Sequence, residues 1–537
     1  MNALSMFRAS VARDADATAL WYFGNTLSFG DIDRLSDEFA GALSTLGFKR
    51  NDRIALYMQN VPQFAIALLA AWKLQGAAVL VNPMNTSREA GYIIRDSGAS
   101  VVLCLEALHD NAAAALASLD NSDIHLITTP GDLFAGSRDT VIEVEGTAAA
   151  LDFANLCGTS RGFAPPPHTP SPDDLAFITY TSGTTGEPKG AMNTHGNVSA
   201  STLTYRDWMG LSNNDSILAV APVFHITGII AHITLGFLLG APVTLFYRFN
   251  PRVALAALRA TRPTFTTGVI TAFNALIDHP DAKNEDFASL RVVYSGGAPI
   301  APALLERFHA RTGVALHSIY GLTETTSPSH AMPLGSEPRM DQSSGALSVG
   351  PPVTGTESWI EDLHGKRLAA FEPGEIVIRG PQVVPGYWNK PEHTAASIPH
   401  GALHTGDIGF FDDDGWFYII DRLKDMISAS GYKVWPREVE DVLCAHPDVL
   451  EAAVVGVPDE YRGETVWAFV RARAGVELDV AAIDAHCREQ LAAYKRPRRV
   501  ILRDALPTTA SGKLLRRELR TVAETILRLD DNNELPS

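Results

Sequence analysis

The sequence contains few cysteines and no paired cysteine motif. Its 537 residues include 4 cysteines, and no two of them form a Cys-x-x-Cys pair. This scarcity argues against a disulfide framework and against a cysteine-based zinc site, and it is typical of proteins from a reducing compartment. We therefore expect a cytoplasmic protein.

Long uninterrupted hydrophobic runs are also missing. The most apolar stretches, residues 61–81 and 226–246, are interrupted by polar side chains such as Lys73 and His232. A membrane-spanning helix needs roughly 20 nearly uncharged residues. Residues 1–20 carry several charges and lack the apolar centre of a secretory signal. The sequence therefore predicts no integral membrane segment and no secretory signal.

Positive charge is in deficit. The chain has 44 Lys and Arg against 61 Asp and Glu, a formal net charge of −17. Such a balance argues against a broad nucleic-acid-binding surface, which requires a basic face. The 46 % hydrophobic and 20 % charged residues are ordinary for a folded protein. Because single hydrophobic cores stop growing near ~250–300 residues, the length predicts more than one domain.

Helices and strands alternate along the first part of the chain. Apolar spacing predicts helices over 35–46, 64–74 and 87–97, and strands over 53–58, 77–81, 100–105 and 174–180. This alternation is typical of parallel sheets flanked by helices, an α/β fold.

The pattern changes from Glu375 onward. Short strands over 375–379, 409–411 and 416–420, separated by turns, predict a β-rich subdomain. A charged, turn-prone connection follows at 421–425. The predicted organisation is a large N-terminal domain over 1–420, this connection, a small α+β domain over 426–520, and a polar tail over 521–537.

A glycine- and hydroxyl-rich run follows the predicted strand 174–180. It reads Thr-Ser-Gly-Thr-Thr-Gly-Glu-Pro-Lys-Gly over 181–190. Glycines let backbone N–H groups approach an anion, hydroxyls donate hydrogen bonds, and lysine supplies charge. The spacing is not that of a Walker A loop. Composition alone leaves open an ordinary surface turn, whereas the chemistry predicts phosphate binding by Thr181, Ser182, Gly183, Thr184, Thr185 and Lys189.

Five further segments occur in a fixed order along the chain. They are Ala-Pro-Val-Phe-His-Ile-Thr-Gly (221–228), Ser-Gly-Gly-Ala-Pro (295–299), Tyr-Gly-Leu-Thr-Glu-Thr (320–325), Thr-Gly-Asp (405–407) with Asp-Arg (421–422), and Pro-Thr-Thr-Ala-Ser-Gly-Lys (507–513). Together with the 181–190 run, they resemble the signatures of the adenylate-forming superfamily. That superfamily includes acyl-CoA synthetases, adenylation domains of peptide synthetases, and luciferases. The resemblance covers about residues 10–520.

The resemblance implies a site for ATP with Mg²⁺. Gly297, Ala298 and Pro299 would wrap the adenine. Tyr320 would stack on it beside Gly321, and Thr323 would contact phosphate. Glu324 would bind Mg²⁺, a cation that prefers carboxylate oxygen. Asp407 and Arg422 would contact the ribose.

The resemblance also implies two half-reactions that use ATP and then coenzyme A. Lys513 would bridge the carboxylate and the α-phosphate, with His225 in a supporting role. The C-terminal domain would then rotate about a hinge at Lys424, within 421–425. Gly431 and Lys433 would contact coenzyme A.

The acid site is expected to be apolar. The resemblance and the residue types point to Phe224, Gly228, Val269, Ile270, Phe273, Gly296 and Ile319. Ile319 stands where many family members have a small residue, so it should narrow or redirect the pocket. It disfavours malonate-type diacids, and it weakens the case for wide aromatic and for very long straight substrates. His225 stands where amino-acid-activating relatives carry an acid, which disfavours amino acids.

The predicted function is an ATP-dependent acyl-CoA ligase for an apolar acid, a medium- or long-chain fatty acid. The alternatives are an aryl- or hydroxyacyl-CoA ligase with the same mechanism, and an enzyme that loads a carrier protein. Luciferase-type oxygenation is not excluded by the motifs. The sequence leaves the assembly state open, with a homodimer as one alternative.

Overall fold

The structure is a computed structural model. It describes residues 2–119, 123–137, 142–143, 145–181, 187–298, 300, 302–342, 346–362, 364–422, 425–429, 432–459, 462–473, 475–508 and 514–533. The chain divides into two compact units. The first comprises Met1–Ser336, Pro352–Glu357 and Ile378–Leu403, and the second Glu337–Pro351, Ser358–Val377 and His404–Ser537.

Helices occur in both units. In chain order they are α1 (Ala3–Arg13), α2 (Phe29–Thr45), α3 (Pro62–Lys73), α4 (Ser87–Ser97), α5 (His109–Ala117), α6 (Phe153–Thr159), α7 (His195–Trp208), α8 (Ile226–Gly228), α9 (Leu235–Leu239), α10 (Pro251–Thr261), α11 (Ile270–Ile277), α12 (Pro302–Thr312), α13 (Pro391–Ser397), α14 (Pro436–Ala445), α15 (Val480–Gln490) and α16 (Arg516–Asn533). A π-helix, Ile229–Thr234, joins α8 to α9. Short 3₁₀ helices lie at Glu106–Leu108, Asn284–Phe287 and Pro399–Gly401.

Within the described residues, the strands assemble into four sheets. In chain order they are β1 (Thr18–Tyr22), β2 (Asn25–Ser28), β3 (Arg53–Tyr57), β4 (Ala77–Val81), β5 (Val101–Leu105), β6 (His125–Thr129), β7 (Leu151–Asp152), β8 (Leu175–Thr181), β9 (Lys189–Thr194), β10 (Ile217–Leu218), β11 (Val243–Leu245), β12 (Phe265–Gly268), β13 (Val292–Ser295), β14 (Leu316–Leu322), β15 (Ser327–Ala331), β16 (Ser348–Gly350), β17 (Glu357–Glu361), β18 (Gly374–Arg379), β19 (Leu403–Phe411), β20 (Phe417–Arg422), β21 (Ile427–Ala429), β22 (Tyr432–Val434), β23 (Val449–Asp459), β24 (Gly463–Ala472) and β25 (Arg499–Leu502).

Two mostly parallel sheets form the first unit. One has the order β7-β6-β5-β3-β4-β8-β9, and the other β15-β14-β13-β12-β10-β11-β1-β2. Antiparallel pairs lie at three of their four edges, namely β8 with β9, β14 with β15, and β1 with β2, whereas the edge strand β7 is parallel to β6. The predicted α/β class is confirmed. The two edge hairpins β8–β9 and β14–β15 carry the phosphate-loop ends and the Tyr320–Glu324 segment.

The apolar sequences of α3 and β4 are explained by their burial. Every residue of β4 and of α3 is buried, as expected for parallel strands covered on both faces. The buried Lys73, at the end of α3, keeps its charge paired. Its Nζ lies 2.7 Å from Asp33 Oδ1 and 2.5 Å from Asp37 Oδ1, and it donates to Ser36 Oγ at 2.8 Å.

The predicted helices and strands differ from the observed ones mainly at their ends. Strand β4 and helix α4 have the predicted bounds, whereas α2 begins at Phe29 rather than at residue 35. The earlier start reflects a capping box, in which Ser28 Oγ accepts a hydrogen bond from the Asp31 N–H at 3.0 Å and Asp31 bonds back to the Ser28 N–H.

The second unit contains a five-stranded sheet and a smaller sheet with helices. The five-stranded sheet has the order β16-β20-β19-β18-β17, and the smaller one β22-β21-β24-β23 with β25 beside β24. Residues 521–533, predicted to lie in a polar tail, instead continue helix α16. This helix buries Leu519 and Ala523 in a cluster with Trp467 and Phe469.

The four cysteines are free thiols. Burial raises the thiol pKa to about 12 for Cys104, Cys157 and Cys444, and to about 11 for Cys487. Among the helices that the structure describes, none is both long and apolar enough to cross a membrane.

Candidate nucleotide and acid site

The β8–β9 hairpin brings the two ends of the predicted phosphate loop together. Thr181 and Lys189 are paired across the hairpin, and Thr181 Oγ1 donates to the Lys189 carbonyl at 3.5 Å. Ser182, Gly183, Thr184 and Thr185 lie outside the described residues. The hairpin thus fixes the chain entering and leaving the loop.

A third segment, Gly386–Trp388, lies along β9. Tyr387 forms an antiparallel bridge with Ala191, and the Trp388 N–H donates to the Gly190 carbonyl at 2.7 Å. These contacts place the Tyr387 ring beside the start of β9, where Lys189 Nζ lies 5.4 Å from the ring centroid. Tyr387 is therefore a direct neighbour of the predicted phosphate-binding lysine.

The β14–β15 hairpin carries the predicted adenine and magnesium residues. Tyr320 and Gly321 lie at the end of β14, and Thr323 and Glu324 lie in the turn. Gly321 needs to be a glycine because an added Cβ would lie 1.6 Å from the Ser327 carbonyl oxygen. Its small size lets the two strands approach at the point where the turn begins.

Glu324 is only partly exposed and its carboxylate is oriented. Its Oε1 accepts a hydrogen bond from the Tyr387 hydroxyl at 2.8 Å, and its carbonyl accepts one from the Val384 N–H at 2.9 Å. Burial, and then the charge of Glu324, raise the pKa of Tyr387 well above its usual range. Tyr387 thus remains a neutral donor at physiological pH.

Asn193 connects the two hairpins. Its Nδ2 donates to the Thr323 carbonyl at 3.3 Å and to Thr326 Oγ1 at 3.0 Å, and its Oδ1 accepts from Thr179 Oγ1 at 3.1 Å. Asn193 is fully buried. The phosphate-loop hairpin and the Thr323–Glu324 turn are therefore held in one fixed arrangement.

The predicted adenine turn follows β13. Gly296 lies against Ile319, and a Cβ at Gly296 would lie 2.6 Å from the Ile319 carbonyl oxygen and 2.9 Å from its Cγ2. Gly297 has a φ of +79°, and a Cβ there would lie 3.6 Å from Val269 Cγ1. Ala298 is partly exposed, and Pro299 lies outside the described residues.

Two of the predicted apolar residues lie beside this turn. Ile319 and Ile270 are buried, and Val269 caps the start of α11. Phe273 is also buried, and its ring packs 5.7 Å from that of Phe308. The structure thus places Ile319 and Val269 next to Gly296 and Gly297, whereas Phe273 is part of the packing between α11 and α12.

The histidine segment turns into α8. Phe224 and His225 are partly exposed, and the His225 N–H donates to the Pro222 carbonyl at 3.0 Å. A Cβ at Gly228 would lie 1.9 Å from the Pro222 oxygen, so only glycine permits this close turn.

The second unit carries the predicted ribose residues. Asp407 is buried in β19, and its partner in register on β20 is Arg422. The preceding Gly406 has a φ of +70° and donates its N–H to Glu375 Oε1 at 2.8 Å. Asp407 is thereby fixed by the strand pair and by the turn before it.

Three predicted residues of this unit lie outside the described residues, namely Lys424, Gly431 and Lys513. The base of the Lys513 loop is described. Thr508 and Leu514 form a bridge across it, and the Leu515 N–H donates to the Pro507 carbonyl at 2.9 Å. The backbone of Lys433 pairs with Ser428 between β21 and β22.

Arg516 anchors the chain directly after this loop. Its guanidinium binds Glu440 through two hydrogen bonds, 2.6 Å from Nη2 to Oε2 and 3.3 Å from Nε to Oε1. Its Nη1 also lies 3.8 Å from Asp425 Oδ2. Arg516 thus ties the chain next to Lys513 to the chain next to Lys424.

Comparison with known protein families shows which family this chain belongs to. Residues 7–388 match the family described as AMP-binding enzyme, and residues 438–513 match the AMP-binding enzyme C-terminal domain. The chain belongs to the AMP-binding enzyme family.

Several members of this family are similar over nearly their whole length. A long-chain-fatty-acid–CoA ligase of Bacillus subtilis (strain 168) is 36 % identical over 529 residues, covering 96 % of this chain and 93 % of the relative. A feruloyl-CoA synthase of Amycolatopsis sp. is 34 % identical over 511 residues, covering 94 % and 95 %.

Solved structures agree in fold. ATP-bound MatB from Rhodopseudomonas palustris is 28 % identical with a TM-score of 0.87, covering 98 % of this chain and 100 % of that one. A benzoate CoA ligase from Burkholderia xenovorans LB400 is 27 % identical with a TM-score of 0.85, covering 97 % and 100 %. The predicted class, an AMP-forming acyl-CoA ligase that uses ATP and coenzyme A, is confirmed.

Sequence reasoning missed three polar residues of this AMP-binding enzyme. Tyr387, Asn193 and Arg516 each contact a segment that carries a predicted ligand residue. Asn193 and Arg516 lie within four residues of Lys189 and Lys513, so their positions offered a weak signal. Tyr387 lies 63 residues from Glu324, and only tertiary structure brings the two together.

Proposed function

We propose that this ligase activates a medium- or long-chain fatty acid. The observation that carries the proposal is the apolar environment beside the Gly296–Gly297 turn, where the buried Ile319 and the partly exposed Val269 lie against the two glycines. An apolar surface favours a hydrocarbon chain, since burying each CH₂ is worth about 0.8 kcal/mol. The relatives named as long-chain-fatty-acid–CoA ligases support the same substrate class.

In the proposed first half-reaction, a carboxylate oxygen attacks the α-phosphorus of ATP. The bond to the bridging oxygen breaks, and pyrophosphate leaves. Lys189 with Thr181–Thr185 binds the β- and γ-phosphates, and Lys513 bridges the carboxylate and the α-phosphate. Tyr320 stacks on adenine, and Asp407 and Arg422 hold the ribose. Positioning and charge neutralisation supply most of the acceleration, because both reactants are anions.

Mg²⁺ is the proposed metal of this step. The Glu324 carboxylate, oriented by Tyr387 and partly exposed, offers the hard oxygen donor that Mg²⁺ prefers. Among the described residues no cluster of three His, Cys, Asp or Glu side chains could hold a metal ion. One carboxylate suits a cation that arrives with the nucleotide and keeps its water and phosphate ligands, and that neutralises phosphate charge when bound.

In the proposed second half-reaction, the coenzyme A sulfur attacks the acyl carbon. The acyl–oxygen bond to AMP breaks, AMP leaves with that oxygen, and the thiol proton passes to solvent. We propose that residues 426–520 rotate relative to 1–420 about Lys424, and that Gly431 and Lys433 then contact the pantetheine arm. A hinge requires only that a few residues change φ and ψ.

Two variants test these roles. Lys513→Ala should abolish adenylation but keep thioester formation from supplied acyl-adenylate, and Gly431→Leu should do the reverse. Equal loss of both half-reactions in either variant would refute the assignment.

The substrate proposal is tested with a panel of acids. Pyrophosphate release and thioester formation are measured with saturated fatty acids of increasing length, benzoate, ferulate and a hydroxy acid, with and without coenzyme A. The highest kcat/KM is expected for a fatty acid of medium or long chain. A preference for ferulate or benzoate would favour the aryl alternative, which the feruloyl-CoA synthase relative supports. Adenylation without any thioester would instead favour transfer to a carrier protein.

We also propose a cytoplasmic location for this ligase. The four unpaired cysteines support a reducing, cytoplasmic location. A homodimer is tested by light scattering on the purified protein.

A further inference from the structure

Tyr387 contacts two residues with different proposed ligands. Its hydroxyl donates to Glu324 Oε1 at 2.8 Å, and its ring faces Lys189 Nζ at 5.4 Å from the centroid. Glu324 is the proposed ligand of Mg²⁺, and Lys189 is a proposed ligand of the phosphates. The Tyr387 side chain therefore lies between the proposed Mg²⁺ ligand, Glu324, and a proposed phosphate ligand, Lys189.

Tyr387 is held in place by its backbone hydrogen bonds and by burial of its side chain. Its backbone bridges to Ala191 on β9, and its N–H donates to Thr394 Oγ1 at 2.9 Å. Only 7 % of its surface is exposed. A side chain held this firmly can determine the orientation of the groups that it touches.

The two contacts act by different physical means. The hydroxyl uses one lone pair of the carboxylate and so fixes the orientation of the Glu324 side chain. The ring attracts the ammonium group through its negative face, and this attraction does not depend on the hydroxyl. A change to phenylalanine removes the first contact and leaves the second.

We propose that Tyr387 is a positioning residue that orients Glu324 toward Mg²⁺ and Lys189 toward the phosphates of the same nucleotide. This inference rests on the proposed function, because it takes the two ligand roles from there. Mutation of a hydrogen-bond partner that orients a metal ligand typically weakens metal binding about 10- to 100-fold.

The test measures ATP binding by titration calorimetry, with Mg²⁺ and with EDTA. For the unaltered ligase, Mg²⁺ should tighten ATP binding. In Tyr387→Phe that tightening should fall about tenfold, with binding in EDTA unchanged. In Tyr387→Leu, binding in EDTA should also weaken, by about two- to fivefold, because the ring beneath Lys189 is lost.

Tyr418→Phe is the matched control. Tyr418 is equally buried and donates to Asp412 Oδ2 at 3.0 Å, in the second unit. The Tyr418→Phe variant loses the same kind of hydrogen bond away from the proposed nucleotide site. Its ATP affinity, with Mg²⁺ and with EDTA, should therefore match that of the unaltered ligase. Unchanged Mg²⁺ tightening in Tyr387→Phe, or equal weakening with and without Mg²⁺, would overturn the inference.

A double-mutant cycle separates this inference from the proposed function. If Tyr387 acts through Glu324, then Tyr387→Phe should have no further effect on Mg²⁺ tightening in a Glu324→Gln background. An equal effect in both backgrounds would overturn the positioning role alone. If Glu324→Gln itself leaves the tightening intact, the proposed magnesium role fails, and the inference fails with it.

Discussion

Arg516 offers a prediction whose size follows from its contacts. Replacing it with glutamine removes two charge-assisted hydrogen bonds to Glu440 and the 3.8 Å contact with Asp425. The Glu440 side chain is only 13 % exposed, so its charge loses a partner in a poorly solvated place. Hydrogen bonds to charged groups are worth about 1.5–3 kcal/mol, and we expect a loss of stability of about 2–3 kcal/mol.

Arg471→Gln provides the matched control. Arg471 and Glu451 lie 3.3 Å apart in the same unit, but both are about two-fifths exposed. Exposed ion pairs are typically worth less than about 1 kcal/mol. The free energies of unfolding of both variants, measured with urea at constant pH, should therefore differ clearly.

The functional consequence should be selective. Arg516 follows the base of the Lys513 loop, so its loss should disturb adenylation more than thioester formation. We expect the rate of pyrophosphate release to fall about 10- to 100-fold, because small misplacements of a catalytic group are costly. Thioester formation from supplied acyl-adenylate should fall much less. If Arg516→Gln behaves like Arg471→Gln in both stability and adenylation, this reasoning is wrong.

Three further outcomes follow from the first unit. Burial lowers the pKa of His195 to about 4 and of His232 to about 3, from 6.5. Each histidine therefore contributes stability that is complete above pH 6.5 and is lost as the pH falls toward its folded-state pKa. At pH 5.5 each should have lost about 1.4 kcal/mol of the free energy of unfolding. A melting temperature that stays constant from pH 8 to pH 5 would contradict this. Gly321→Ala should force β14 and β15 apart and cost more than about 1–3 kcal/mol, seen as a lower melting temperature and as lost ATP binding. Ile319→Ala should cost about 2–4 kcal/mol and should raise the kcat/KM ratio of branched to straight acids, whereas an unchanged ratio would remove Ile319 from the acid site.

Local sequence patterns predicted those parts of the fold that short-range physics determines. The apolar run of β4 and the helical spacing of α4 each appear within a few residues, and both elements have the predicted bounds. The start of α2 required recognition of the Ser28–Asp31 capping box. Helix α16 was missed because two of its buried residues, Leu519 and Ala523, stand among charged ones, so its polarity resembled that of a tail.

The candidate site divides in the same way. Contiguous motifs such as 181–190 and 320–325 could be recognised because their residues are neighbours in the sequence. The structure places Lys189 and the Glu324 turn in adjacent hairpins joined by Asn193. The contribution of Tyr387 was not predictable from spacing, since packing of Gly386–Trp388 against β9 creates it.

The four cysteines, three of them buried and Cys444 half-buried, have a practical consequence for an enzyme whose substrate is itself a thiol. With thiol pKa values of about 11 to 12, fewer than roughly one in a thousand of these groups is a thiolate near pH 7.5. They should therefore neither exchange with coenzyme A disulfides nor react readily with maleimides. A single cysteine introduced on an exposed position of each unit could then carry a fluorescent pair, without prior removal of the native thiols, and distance changes between the half-reactions could be followed directly.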